Sequence, residues 1–128
     1  MTYYFAKTLA APFDEVVSRT RAGLKEEGFG VLTEVDVRET LKKKLDVDFR
    51  RYLILGACNP ALAYEALQLE DKVGTMLPCN VIVQQKGDGA VEVAAIDPVA
   101  SMQAIDNSQL IERAKLVRAK LQRVIEGL

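Results

Sequence analysis

The chain has 128 residues, 49% of them hydrophobic and 27% charged, with a formal net charge of −1. That length suits one domain with a single buried core, and the composition is that of an ordinary globular protein. The near-neutral balance argues against a general polyanion binder, so nucleic acid is not an expected partner. The chain has no histidine, which removes Ser-His and Cys-His nucleophile pairs and histidine metal ligation.

Charge is unevenly spread. Residues 38–51 carry six basic and three acidic side chains, and residues 109–128 five basic and two acidic ones. No apolar run approaches the roughly 18–20 residues of a membrane span. The first residues, Met1 to Glu15, lack a basic leader followed by a long apolar stretch, so no signal peptide is expected. Two cysteines without a secretion signal point to a reducing cytoplasm.

In chain order, residues 2–10 read as a strand rich in aromatic and β-branched types. Pro12 opens a helix with Asp14 and Glu15 in its first turn, where the dipole favours negative charge. Phe13, Val16, Val17, Thr20 and Leu24 recur at helical spacing, and Gly28 stands where a C-terminal cap belongs. Residues 30–37 alternate like a half-buried strand, and residues 38–45 suit a short exposed helix.

Residues 50–58 form a strand apolar on both faces, with Leu53, Leu55 and Ala57 on one and Tyr52 and Ile54 on the other. Asn59 caps the next helix, with Pro60 at its first position. A looser stretch over 70–78 leads to a strand at 79–85. Lys86 to Gly89 make a hairpin turn, with a return strand over 90–96. After Asp97-Pro98 comes a connector, and Ser108 begins the last helix. Its Leu110, Ala114, Val117, Leu121, Val124 and Leu128 are spaced four and three apart. That is too few heptads for a coiled coil, so it reads as a helix lying on a sheet. The whole predicts an α+β two-layer sandwich with a mainly antiparallel sheet, long helices on one face and short helical insertions.

If both long helices cover one face, the other should be polar where it meets water. Yet the central strands keep Tyr52, Ile54 and Ile82 opposite the core-facing set. An uncovered apolar face marks a partner surface, and a homodimer is the expected assembly. The competing expectation is that the short helices at 38–45 and 60–69 cover that face.

The two cysteines each precede an asparagine, Cys58-Asn59 and Cys79-Asn80. Cys58 lies just before a helix N-terminus, where unpaired amides lower a thiol pKa. If the two strands pair antiparallel, the end of one and the start of the other bring Cys58 beside Cys79. Structurally, free cysteine is a small buried hydrophobe and asparagine a cap or turn former. Functionally, the same segments suit a ligand-binding or redox-responsive thiol pair. A structural metal site needs more than two thiolates, and nucleophilic catalysis by Cys58 lacks a histidine base. Asp36 and Asp97 each end a strand, where a carboxylate either faces a cleft or serves as a turn or cap former. Lys42, Lys43 and Lys44 read as a solvated helix face.

The combined pattern has a Gly-Phe-Gly strand opening at Gly28 to Gly30 and Asp36 before a lysine-rich helix. It continues with Gly-Ala-Cys-Asn-Pro at Gly56 to Pro60, Leu-Pro-Cys-Asn-Val at Leu77 to Val81, and Asp97-Pro98. This resembles the bacterial family called domain of unknown function 302, over nearly the whole chain. The resemblance implies a two-layer fold of β-α-β(4)-α type and a dimer. It implies no established activity, and it brings no catalytic residues to carry over.

The leading expectation is therefore a single cytoplasmic domain, homodimeric, that binds a small molecule or partner near Cys58, Asn59, Cys79 and Asn80, with Asp36 and Asp97 as further candidates. Asparagine and helix-end amides would act as donors and thiols as soft contacts. The alternative is a thiol redox sensor or thiol enzyme, with Cys58 reactive and Cys79 resolving. A third class is a structural interaction module. The sequence leaves any cofactor unidentified.

Overall fold

Local sequence signals place most of the element boundaries. The structure, a computed structural model, describes residues 2–128. Strand β1 spans Tyr4–Leu9 and helix α1 Phe13–Glu26. Helix α1 ends in a Schellman motif: Gly28 takes φ +86, its N–H donates to Lys25 O at 3.0 Å, and Phe29 N–H donates to Leu24 O at 2.9 Å. Leu24 and Phe29 are both buried, which adds the apolar contact that accompanies this cap. Strand β2 covers Gly30–Asp36 and the short helix α2 Val37–Leu45.

Strand β3 is Tyr52–Cys58 and helix α3 is Pro60–Leu69, begun by Asn59 as expected. The stretch read as loose holds a 3₁₀ segment, Asp71–Met76, whose Val73 is fully buried. It is too short to show a periodicity, so its burial left no pattern. Strand β4 is Cys79–Gly87 and β5 Ala90–Ile96, joined by a two-residue turn with Gly89 at φ +71. The connector after Asp97 contains a single helical turn, α4, Pro98–Ser101. Helix α5 runs Ser108–Glu126, capped by Asn107, whose side chain also donates to Leu69 O at 3.0 Å.

The five strands form one sheet in the order β1-β5-β4-β3-β2, with every neighbouring pair antiparallel. Strands β1 and β2 are therefore parallel and lie at opposite edges, and α1 joins them across the full breadth of the sheet.

Alternate strand residues face the helices. Leu53, Leu55, Ala57, Val81, Val83, Val91, Val93 and Ala95 form one buried cluster with Phe13, Val16 and Leu24 of α1 and Leu121, Val124 and Ile125 of α5. Burying each large aliphatic side chain contributes about 1.5–3 kcal/mol, so a one-residue slip in any central strand would forfeit several such terms. A second cluster joins Ala66 of α3, Val73, Met102, and Leu110 and Ala114 of α5. Helix α3 thus packs on α5, within the helical layer. Helix α2 has no buried residue and lies beside β2 and β3. The architecture is the α+β two-layer sandwich that the element pattern predicts.

Candidate functional site

The antiparallel pairing of β3 with β4 sets Ala57 opposite Cys79 and Gly56 opposite Asn80. Cys58 follows directly, so both Cys-Asn segments meet at one end of the sheet. Asn59 caps α3 by accepting from Leu62 N–H at 3.3 Å. Its amide also rests against Gly28, with Nδ2 3.1 Å from where a Cβ there would lie. Both cysteines are free thiols; Cys79 is buried and Cys58 half-buried. Burial, and secondarily the neighbouring Cys58, pushes the Cys79 thiol up to about 11. Cys79 therefore stays protonated at neutral pH, which makes it a poor nucleophile and a poor metal ligand.

Strand alternation splits the second segment across the sheet. Cys79 points into the helix-covered side, bordering a small apolar void of about 30 Å³ beneath α3 and α5. Asn80 is exposed on the other side. Asp97 lies at the same end of the sheet. It is buried, accepts from Val99 N–H at 3.0 Å and Ala100 N–H at 3.5 Å, and pairs with Arg118 Nε at 3.3 Å. These partners make it the cap of α4 and a tie to α5. Asp36 is not brought to this group. It stands opposite Leu53, at the far end of β3 from Cys58, and caps α2 by accepting from Glu39 N–H at 3.0 Å. The physical reason is the antiparallel ladder: the last residue of β2 must lie beside the first residues of β3. Lys42 and Lys43 are engaged locally, with Asp46 at 2.9 Å and Glu39 at 2.7 Å. Among the described residues no three metal-ligating side chains cluster.

The face away from the helices carries a different arrangement. Ala6 pairs with Ala94, Ala94 with Ile82, Ile82 with Ile54, and Ile54 with Val35. Paired residues share a face, so these five make an unbroken apolar band across all five strands. Beside it runs a second row, Thr8–Glu92–Gln84–Tyr52. Gln84, only 7% exposed, donates to Glu92 Oε1 at 2.8 Å and accepts from Arg50 Nε at 2.9 Å. The Arg50 guanidinium lies 4.4 Å from the Phe49 ring centroid and 5.5 Å from that of Tyr52. On the β4–β5 half, Tyr3, Tyr4, Tyr52, Gln84, Lys86 and Glu92 enclose a hollow of about 420 Å³, floored by Ile82 and Ala94 and reaching Asn80.

Of the sequence candidates, only Asn80 borders this hollow. No local sequence pattern marks Arg50, Gln84 and Glu92, because their link depends on the register of three strands. The alternation that puts Ile54 and Ile82 outward was the available signal.

A five-stranded antiparallel sheet has its long helices on one face and, on the other, an apolar band exposed at Ala6 and Val35 and half-buried at Ala94, Ile82 and Ile54; this defines an α+β sandwich domain. The chain belongs to the family described as Domain of unknown function DUF302, whose model matches residues 5–128. It is similar to an uncharacterized conserved DUF302 protein from Bacillus stearothermophilus, known from a crystal structure. The two are 28% identical over 98% of each chain, with a TM-score of 0.90. No curated protein matches the chain. No helix among the described residues is long and apolar enough to cross a membrane.

Proposed function

We propose that this is a binding domain that acts by recognition, and that its surface is the helix-free face of the sheet. The observation that carries this reading is the apolar band Ala6–Ala94–Ile82–Ile54–Val35, which spans the sheet on the face opposite the buried cluster that α1 and α5 form with it. Contiguous apolar surface left partly accessible on a folded domain marks a site of association. The adjoining hollow, with tyrosine walls and a few fixed polar groups, has the make-up of a ligand site. Asn80 ties the reading to the second Cys-Asn segment. The first segment serves it indirectly, by capping α3 and packing the sheet end. Free thiols fit a reducing cytoplasm.

A thiol redox role draws on the proximity of Cys58 to Cys79, but the buried, weakly acidic Cys79 is ill suited to resolve a sulfenate. Native mass spectrometry of the purified chain tests the recognition reading. A bound species, either a small molecule or a further chain, is expected on the wild type and on a Leu116→Glu control on α5. It should be absent from Ile82→Glu. Bare single chains in all three samples would end the reading.

A further inference from the structure

The hollow has two opposite charges at one end and an amide at the other. Its floor follows β4 and β5, where Ile82 pairs with Ala94 and Gln84 with Glu92. Asn80 lies two residues before Ile82, and Lys86 two residues after Gln84. At Lys86 the β4–β5 ladder shifts register, so this lysine is the additional residue of a β-bulge, a device that re-aims a side chain. Here it lines the hollow.

The polar groups at this end are not spent on each other. Glu92 Oε1 accepts from Gln84, which leaves Oε2. Among the described residues the Lys86 side chain has no hydrogen bond or ion pair, and neither has that of Asn80. Lys86 and Glu92 stand as diagonal neighbours, about 7–8 Å apart at such positions. We propose that the hollow binds a free α-amino acid with a large, flat side chain, its ammonium on Glu92 and its carboxylate on Lys86. The proposal rests on the recognition reading above and names the ligand class.

Charge decides the head group. A simple anion would set its charge against Glu92, and a simple amine would set its own against Lys86. A neutral molecule would take water from both without replacing it, which is costly. An α-ammonium carboxylate answers both at once. Its two charges flank one carbon, and two charge-assisted hydrogen bonds of about 2.8 Å each carry it across the gap. Arg50 does not line the hollow; its Nε is engaged by Gln84, whose amide in turn holds Glu92.

The walls decide the body. The Tyr3 and Tyr4 rings meet edge-on with centroids 5.0 Å apart, and Tyr52 stands on the β3 side. Ala94 keeps the floor low between them. Aromatic walls favour a flat ring packed edge-to-face or offset. Asn80 then offers a donor and an acceptor to a polar group at the tip of that side chain. The volume of about 420 Å³ lies within the range of small-molecule sites.

L-Tryptophan is the probe, because the chain contains no tryptophan and the ligand's own fluorescence can be followed. Anisotropy titration with the full chain should give a Kd below about 1 mM, the ordinary efficiency for a ligand of that size. Tryptamine, which lacks the carboxylate, and indolepropionate, which lacks the ammonium, should each bind more than about tenfold more weakly. Lys86→Met and Glu92→Gln should each weaken L-tryptophan by a similar factor, while Leu116→Glu on α5 binds like the wild type. Circular dichroism checks that the variants fold; where one does not, the ligand series on the wild type carries the test. Either analogue binding as tightly as L-tryptophan would overturn the paired-charge head group. Binding indifferent to both variants would overturn the proposal by placing the site elsewhere. A wild type that ignores all three compounds but holds another species in native mass spectrometry would overturn the amino acid and leave the recognition surface in place. Bare chains that bind none of the three would end both.

Discussion

The Thr33 side chain fills the space that a Cβ on Gly56 would occupy, and Pro78 Cγ lies 2.7 Å from the same point. Gly56 is thus the gap into which β2 and the lead-in to β4 close over β3, next to the Cys-Asn pair. Gly56→Ala should destabilise the fold by about 2–3 kcal/mol through overpacking. Adding Thr33→Ala should recover part of that, because the Pro78 contact remains. Urea unfolding of the single and double variants reads both effects, and an unchanged midpoint in Gly56→Ala would show that the two neighbours move aside freely.

Asp97 joins three elements through one carboxylate. Removing it in Asp97→Ala leaves the Val99 and Ala100 amides without their acceptor and Arg118 without its anion. A loss of about 2–3 kcal/mol is expected in chemical unfolding. Asp97→Asn keeps the cap acceptor and should lose less than half of this. Equal losses would mean that the ion pair, not the cap, is the main contribution.

Cys79 makes stability depend on alkaline pH. Below the ordinary thiol pKa of about 8.5 the group is protonated whether folded or not, and its contribution is fully present. The folded chain holds its proton up to about 11. Between those values the unfolded chain releases a proton that the folded chain keeps, so stability falls as pH rises, by on the order of 3 kcal/mol across the window. Comparing the wild type with Cys79→Ala isolates this slope, which the variant should lack. In the native state at pH 7, iodoacetamide should label Cys58 well before Cys79.

Gln84 bridges Arg50 and Glu92 from a nearly buried position. Gln84→Ala should cost about 1–2 kcal/mol by leaving both charges without that neutral partner. Gln84→Glu should cost more, since it sets a second carboxylate beside Glu92. Thermal unfolding of the two variants ranks them, and the reverse order would show that Arg50 dominates the local field.

Features set within a few residues were legible in the chain. Gly28, Asn59 and the Asp97-Pro98 step announce their caps because a cap is satisfied within a turn of helix. The meeting of the two Cys-Asn segments was also within reach, because it needs one antiparallel pair and one short helix between. That Asp36 forms a cap was also open to reading, since a carboxylate at a strand end suits a turn or cap; which end of the sheet it reaches was not, because that depends on how β2 pairs. The Arg50–Gln84–Glu92 chain was beyond reach for a similar reason. It needs the β3–β4 and β4–β5 registers together, and no local pattern encodes their sum. The outward alternation of Ile54 and Ile82 was visible, but their union into one band is a property of the assembled sheet.

The placement of β1 bears on how the chain acquires its structure. Tyr4 pairs with Ile96, 92 positions further along the chain. During synthesis the first strand emerges from the ribosome long before β5 exists, so it waits without a ladder partner while β2, β3 and β4 assemble. Closing so long a loop is slow. The final closure of the sheet by β1 is thus set to be the late event in folding, and the free β5 edge is the point at which a nascent chain is most open to pairing with a stranger.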